Sequence, residues 1–392
     1  MKVLAIAPQP FFTPRGTPLS VYYRTLVTAE MGYEVDLLTY GQGVDVDIPG
    51  VRIVRIPAFR WLGGVKVGPS LLKGFLDVFI AVWAVGLMIR RRYDVVHAHE
   101  EAVFFCRFLQ PVFRFRLVYD MHSILSQQLI NFRFTSSKAL IGMFRRLEDG
   151  CLAKADGVIT ISPALAEYAM PRVRDPQTHF LIENSLFDPL RLARHVDAPL
   201  AGDQWLHLLD GGRPVILYAG TLESYQGIGL LLRAFAAARL KAPDAFLLLL
   251  GGRPDQVREQ RDEAEHLGIG DHCRFAGQVS RELAQRATRE ATVLTSPRTV
   301  GSNTPLKIYE QIASGVVLVA TRIGAHTQVL SDDNCVLVDP EPEAMARGLL
   351  AALAGGEAIE RRVANARALY DGRYSPEAYR DKMQRLFDLV TH

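Results

Sequence analysis

A chain of 392 residues exceeds the length at which one hydrophobic core stops growing, so two domains of about 150 to 200 residues each are expected. Hydrophobic residues at 49% and charged residues at 22% exclude disordered and collagen-like classes, and four scattered cysteines without a Cys-x-x-Cys pair argue against a disulfide framework or a zinc site. The net charge of +3 hides an asymmetry: residues 50–150 hold fifteen Lys or Arg against seven Asp or Glu, a balance of +8 that leaves −5 for the remainder.

The first predicted element is a buried strand over Val3–Ala7, whose apolar run is too short and too soon met by prolines for a signal peptide. Further strands follow at Val35–Thr39, Val95–Ala98, Leu117–Tyr119 and Gly157–Ile161, separated by longer segments of helical period. The longest uninterrupted apolar stretch, Val78–Ile89, is about a dozen residues against the roughly 20 that span a bilayer, so no transmembrane helix is expected. Residues 184–214 lack periodicity and read as a linker. The alternation resumes with Val215–Ala219, Ala245–Leu250, Cys273–Ala276, Thr292–Thr295, Val316–Ala320 and Val336–Val338, and closes on helices over Glu357–Asp371 and from Ser375-Pro376 onward. Strands alternating with helices predict two α/β, doubly wound parallel-sheet, Rossmann-like domains. The expected division is 1–190, 191–372, and a C-terminal segment 373–392 that packs back on the first domain.

Ligands of open parallel sheets bind beyond the carboxyl ends of the strands, so the chemistry is sought in the loops there. Arg15-Gly16-Thr17-Pro18 after the first strand lets a ligand approach backbone amides at a helix start. A proline-rich turn fits those residues equally. No G-x-G-x-x-G follows, and the second strand ends in Thr39-Tyr40 rather than an acid, which disfavours nicotinamide cofactors. His97, His99 and Glu100 end one strand, and Asp120, Met121 and His122 end the next. An imidazole there can donate to a sugar hydroxyl, with His122 the favoured candidate, or can serve as an internal hydrogen-bonding group. Metal ligation by His97, His99 and Glu100 is disfavoured because neighbouring strand residues point to opposite faces.

In the second half, GSNTPLKIYEQIASG (Gly301–Gly315) reads as an irregular loop and a helix with Pro305 at its first turn and Gly315 past its end. Amides at that helix start suit a phosphate; Arg298 and Lys307 add positive charge, and Glu310 can accept the two hydroxyls of a ribose. As bland alternatives, Glu310 is a solvated helix residue and Lys307 a snorkelling one.

This segment with VVLVATRIG, together with DVVHAHE, YDMHS, GVITIS, YAGTLESYQG and FAGQVS, resembles the retaining glycosyltransferases of family 4 along nearly the whole chain. The resemblance implies the GT-B fold and a hexosyltransferase that moves a sugar from a nucleoside diphosphate sugar, UDP-sugar by frequency alone, to a hydroxyl with retention. It implies that Gly16 and Thr17 approach the donor phosphates and that His122 meets the transferred sugar. Gly220, Thr221, Ser302, Asn303, Thr304 and Leu306 then surround the diphosphate, backbone at Val279 reads the base, and Glu310 holds the ribose. Neither a metal nor another cofactor is implied. A same-fold sugar-nucleotide epimerase and a catalytically silent sugar-nucleotide-binding subunit are the alternative readings.

The chain departs from the family at three positions. Ser302 stands where the first glutamate of the Glu-x7-Glu pair belongs, and Thr221 and Gln226 stand where an Arg and a Lys are usual. A departing diphosphate needs charge compensation, so Lys307 and Arg298 are expected to supply it as catalytic residues. The acceptor falls to the first domain, where Arg107, Arg114 and Arg116 are interleaved with phenylalanines including Phe132 and Phe134. That mixture suits an anionic membrane surface and a lipid or lipid-linked glycan acceptor at the inner face of the cytoplasmic membrane, although core phenylalanines and ordinary surface arginines give the same pattern. No nucleic-acid partner is expected.

Overall fold

The computed structural model describes residues 1–12, 17–59, 70–131, 137–183, 204–210, 212–301 and 304–391. These fall into two compact units, residues 1–183 with 376–391 and residues 204–375.

Unit one is built on β1 (Lys2–Ala7), β2 (Glu34–Thr39), β3 (Val51–Arg55), β4 (Val95–His99), β5 (Arg116–Met121), β6 (Gly157–Thr160) and β7 (His179–Leu181). All pair in parallel, in the order β3-β2-β1-β4-β5-β6-β7. The order reverses between β1 and β4, which makes that junction the topological switch point. Helices α1 (Thr17–Glu30), α2 (Leu71–Arg90), α3 (Ala102–Phe113), α4 (Leu125–Asn131), α5 (Lys138–Leu152) and α6 (Pro163–Ala169) cover its faces. Period-two alternation divides the strands: Leu117, Tyr119 and Met121 join the core that also takes in α2 and α3, while Val118 and Asp120 turn to the opposite face.

Unit two repeats the plan with β8 (Val215–Ala219), β9 (Phe246–Leu250), β10 (Cys273–Gly277), β11 (Val293–Ser296), β12 (Val317–Thr321) and β13 (Val336–Val338) in the parallel order β10-β9-β8-β11-β12-β13. Its switch point lies between β8 and β11. Its helices are α7 (His207–Asp210), α8 (Ile228–Arg239), α9 (Pro254–His266), α10 (Arg281–Glu290), α11 (Lys307–Ala313), α12 (Gly324–Thr327), α13 (Pro342–Ala354) and α14 (Glu357–Arg373). The last helix, α15 (Pro376–Thr391), packs on β5, β6 and α1 of unit one. It comes so close to β6 that a Cβ at Gly157 would stand 2.7 Å from Leu386 Cδ1, so a larger residue there would have to displace that side chain.

One expectation is corrected. Helix α2 runs for 20 residues, and its span Leu72–Arg90 is long and apolar enough to cross a membrane, with 22% of that stretch buried. Counting only uninterrupted apolar residues missed this, because Lys73 and Asp77 lie in the first two turns. Both are satisfied locally: Lys73 pairs with Glu101, and Asp77 accepts the Tyr40 hydroxyl. The helix is nonetheless held in unit one, since Leu76, Ile80, Ala84 and Met88 form a buried stripe at four-residue spacing.

Candidate active site

In unit one the strand ends gather a buried polar network around Asp120. Ladder pairing sets His99 opposite Asp120, and His97 lies two residues back on the same face of β4. Being two apart and so on one face of the strand, His97 and His99 stack, with ring centroids 4.5 Å apart. Arg24 of α1 reaches the same place, and its Nε donates to Asp120 Oδ2 at 2.9 Å. His97 Nε2 stands 3.1 Å from that oxygen, and His122 Nε2 lies 3.3 Å from Oδ1 and 3.1 Å from His99 Nδ1. Burial alone would raise the Asp120 pKa; Arg24, His122 and His97 outweigh it and hold the carboxyl well below its usual range. Burial, reinforced by Arg24 and His97 against the pull of Asp120, lowers His122 to about 4, so its ring is neutral at pH 7.

Donor atoms of His97, His99 and Asp120 lie within 4.8 Å of one another, a number and spacing that a metal centre would use. The Asp120 oxygen that would serve as ligand is already bound by the Arg24 guanidinium. A divalent ion there would sit against a fixed cation, so the set fits a hydrogen-bond network better than a metal site.

In unit two the loops after β8 and β11 cross at the switch point. Thr299 N donates to Tyr225 O at 3.0 Å, and Gly227, at φ +75°, approaches Pro297 O so closely that a Cβ would stand 2.0 Å from it. Arg298 lies over the Tyr225 ring, 5.0 Å from its centre, and donates through Nε to Val300 O. Lys307 opens α11 and turns back toward β8: its ammonium donates to Ala219 O at 3.4 Å and stands 4.2 Å from the centre of the Tyr218 ring. Among the described residues no carboxylate pairs with it. Burial, with Arg298 adding repulsion, lowers its pKa to about 7.

Glu310, three residues further on, pairs through Oε1 with Arg281 Nη2 at 2.9 Å. Arg281 begins α10 directly after Val279-Ser280, so the segment expected at the base is tied to the residue expected at the ribose. Thr221 Oγ1 accepts from Gln226 Nε2 at 3.3 Å, and Thr221 O accepts the Tyr218 hydroxyl. Pro305 precedes α11 rather than starting it, its carbonyl accepting Ile308 N. Gly220, Thr304 and Leu306 flank these groups in sequence, whereas Gly16, Ser302, Asn303, Phe132 and Phe134 lie outside the described residues.

Sequence reasoning passed over Arg24, Arg281 and His326. The last is buried, accepting from Ser296 Oγ at 3.0 Å through Nε2 and donating through Nδ1 to Thr321 O at 2.7 Å. Arg24 could have been sought from Asp120, because a carboxylate inside an otherwise apolar strand needs a cation. The basic and aromatic interleaving resolves into separate roles. Phe115 is core, Phe104, Phe105 and Phe113 pack against the core, and Phe108 is exposed. Arg107 folds over Gly150, Arg116 pairs with Asp156, and Arg114 is exposed.

Two doubly wound sheets, each carrying polar loops at its switch point, define the GT-B class, and solved structures share this fold. Sucrose-phosphate synthase from Thermosynechococcus elongatus aligns with a TM-score of 0.68 at 21% identity, covering 99% of this chain and 98% of that one. Anabaena HepE in complex with UDP aligns with 0.68 at 17%, covering 99% and 100%. Residues 203–369 match glycosyl transferases group 1 and residues 24–184 the glycosyl transferase 4-like domain, so the chain belongs to this family of glycosyltransferases. Phosphatidyl-myo-inositol mannosyltransferases are similar along their length: that of Mycobacterium tuberculosis is 25% identical over 100% of this chain and 97% of its own, and that of Mycolicibacterium smegmatis 24% over 91% and 84%. A GDP-mannose-dependent alpha-(1-6)-phosphatidylinositol monomannoside mannosyltransferase of Mycolicibacterium smegmatis is 31% identical over 31% of this chain and 33% of its own.

Proposed function

We propose that this glycosyltransferase moves a mannosyl group from a nucleoside diphosphate to a hydroxyl of a phosphatidylinositol-type lipid, with retention at the anomeric carbon. The observation that carries this reading is the similarity, over the whole chain, to enzymes named for that transfer. GDP-mannose replaces the UDP-sugar favoured by frequency, because a relative whose name states its donor states that one.

In this reading unit two takes the nucleoside diphosphate. Lys307 brings its charge to Ala219-Gly220, the end of β8, which is where the usual Arg and Lys are replaced by Thr221 and Gln226. A cation desolvated in advance, without a carboxylate partner, interacts with a developing diphosphate more strongly than a solvated one does. Arg298 adds a second charge, so the leaving group is compensated by side chains rather than by a divalent ion. Glu310 accepts ribose hydroxyls, and His122 of unit one meets a hydroxyl of the sugar.

The lipid acceptor is supported by an exposed apolar face. Val78, Val82 and Ile89 of α2 are 61%, 58% and 72% exposed, and Phe108 and Val112 of α3 are 65% and 70% exposed. Arg90 and Arg114 lie exposed at the ends of these two helices. A helix anchored on one side and apolar on the other suits lying in the headgroup region, with basic residues adding about 1 kcal/mol each near an anionic surface.

The test incubates the protein with GDP-mannose, UDP-glucose or ADP-glucose and with vesicles containing phosphatidylinositol, following nucleotide release and labelled lipid. Mannosyl lipid formed from GDP-mannose supports the reading. Transfer from another donor, or nucleotide release that is indifferent to lipid, overturns it.

A further inference from the structure

The Asp120 network leaves three buried atoms, Asp120 Oδ1 and the ring nitrogens His99 Nε2 and His122 Nδ1, without a hydrogen-bond partner among the described residues. The protons around them can be placed by elimination. Asp120 Oδ2 takes the Arg24 Nε–H and lies at hydrogen-bond distance from His97 Nε2, so that nitrogen carries a proton. One proton is shared between His99 Nδ1 and His122 Nε2, 3.1 Å apart. If it sat on His99, the His122 Nε2 lone pair would face Asp120 Oδ1 at 3.3 Å, acceptor against acceptor. With the proton on His122 Nε2, an N–H faces Oδ1 at 3.3 Å, and the His99 Nδ1 lone pair is left at the longer distance of 3.6 Å from Oδ2, which Arg24 and His97 already supply with donors. His122 then shows a bare Nδ1, an acceptor, and His99 carries its proton on Nε2, a donor.

This arrangement depends on where the carboxylate is held, and Arg24 holds it. The guanidinium is fully buried and uses each nitrogen on a different element: Nε on Asp120 of β5, Nη2 on the Ile182 carbonyl at 2.7 Å, and Nη1 on the Tyr379 hydroxyl of α15. Tyr379 is itself buried, with its ring centre 4.9 Å from the guanidinium carbon.

We propose that Arg24 is a positioning residue: clamped by Tyr379 of the last helix and by the Ile182 carbonyl, it fixes Asp120 and thereby the His122 tautomer that offers Nδ1 as an acceptor to a substrate hydroxyl. The effect on turnover rests on the reading that His122 meets the substrate; the tautomer itself does not. A hydroxyl that accepts from His99 Nε2–H, or donates to His122 Nδ1, is distinguished from a group able to do neither, so a deoxy sugar would forfeit the contact.

The test labels histidine with nitrogen-15 in the full chain and reads the ring-nitrogen shifts by NMR at pH 7. The wild type is expected to show His122 as a neutral ring protonated on Nε2. Tyr379→Phe keeps the ring packing and removes one arm of the clamp; Arg24→Met removes the clamp, and Arg24→Lys restores a charge without the fork. The proton on His122 is expected to become distributed over both nitrogens in Arg24→Met and partly so in Tyr379→Phe, with recovery toward wild type in Arg24→Lys. In the transfer assay, kcat is expected to fall about ten- to a hundredfold in Arg24→Met and about three- to tenfold in Tyr379→Phe, with donor KM within about threefold, since a misplaced tautomer removes a transition-state interaction. A wild-type His122 protonated on Nδ1 overturns the inference, as does an unchanged tautomer in both Tyr379→Phe and Arg24→Met. A wild type that transfers no sugar overturns the proposed function alone, because a variant-dependent tautomer still supports the clamp.

Discussion

The two units place their charges in opposite ways at equivalent points of the same fold. At the switch point of unit one the buried carboxylate of Asp120 is met by the buried guanidinium of Arg24, and the neutral rings of His99 and His122 lie beside it. At the switch point of unit two Lys307 is brought inward against a carbonyl and an aromatic ring, with Arg298 near enough to repel it and no carboxylate paired with it among the described residues. The first arrangement balances its charge within the fold and leaves, among the described residues, only uncharged ring nitrogens and Asp120 Oδ1 unbonded. The second is under electrostatic strain that an anion would relieve, which is what the proposed diphosphate site calls for.

The largest expected effect breaks the comparison on the second side. Lys307→Ala should lower kcat by about a hundred- to a thousandfold, the range seen on removing one preorganised charge-stabilising donor, while thermal unfolding moves little or upward because a desolvated cation is lost. Near-normal turnover would move the charge compensation elsewhere. A second effect concerns the surface of unit one. Replacing Val78 and Val82 by Asp should abolish flotation with anionic vesicles while leaving donor binding unchanged. Flotation that persists would assign the exposed face of α2 another partner.

A third prediction follows from proton linkage at Lys307. Its pKa, lowered to about 7, means that the free enzyme loses the ammonium as pH rises through neutrality, whereas a bound diphosphate would retain it. Affinity for nucleoside diphosphate should therefore be full below pH 7 and weaken above it by at most about tenfold per pH unit, measured by calorimetry from pH 6 to 9. The slope should vanish in Lys307→Gln. A pH-independent affinity in the wild type would mean that the ammonium does not touch the phosphates.

The sequence made some of these features legible and hid others for physical reasons. Buried parallel strands announce themselves as short β-branched runs, so β1, β8 and β12 are readable, whereas β7 has three half-buried residues and no such run. Lys307, Arg298 and Glu310 lie within thirteen positions of one another, and helix-start logic gathers them. Arg24, Asp120 and Tyr379 are separated by 96 and 355 positions in the pairs that Arg24 forms, and local pattern carries no signal across such distances. The apolar length of helix α2 is hidden because Lys73 and Asp77 interrupt the run, and their partners Glu101 and Tyr40 lie far away in sequence.

The smallest effect tests how Glu310 is prepared. Arg281 occupies Glu310 Oε1, and a carboxylate has acceptor sites on both oxygens, so Oε2 stays available to a ribose while the pair fixes the rotamer. Both side chains are about 30% exposed, so the pair contributes about 0.5–1 kcal/mol after solvent screening. If Arg281 positions Glu310, Arg281→Ala should raise the donor KM about two- to fivefold and leave kcat unchanged, as expected when only uniform binding is lost. If Arg281 instead competes with the ribose, the same variant should bind the nucleotide more tightly. Glu310→Gln separates the two cases, because an amide keeps one acceptor oxygen: in the positioning case it loses about as much donor affinity as Arg281→Ala, and the double variant loses little more than either single one.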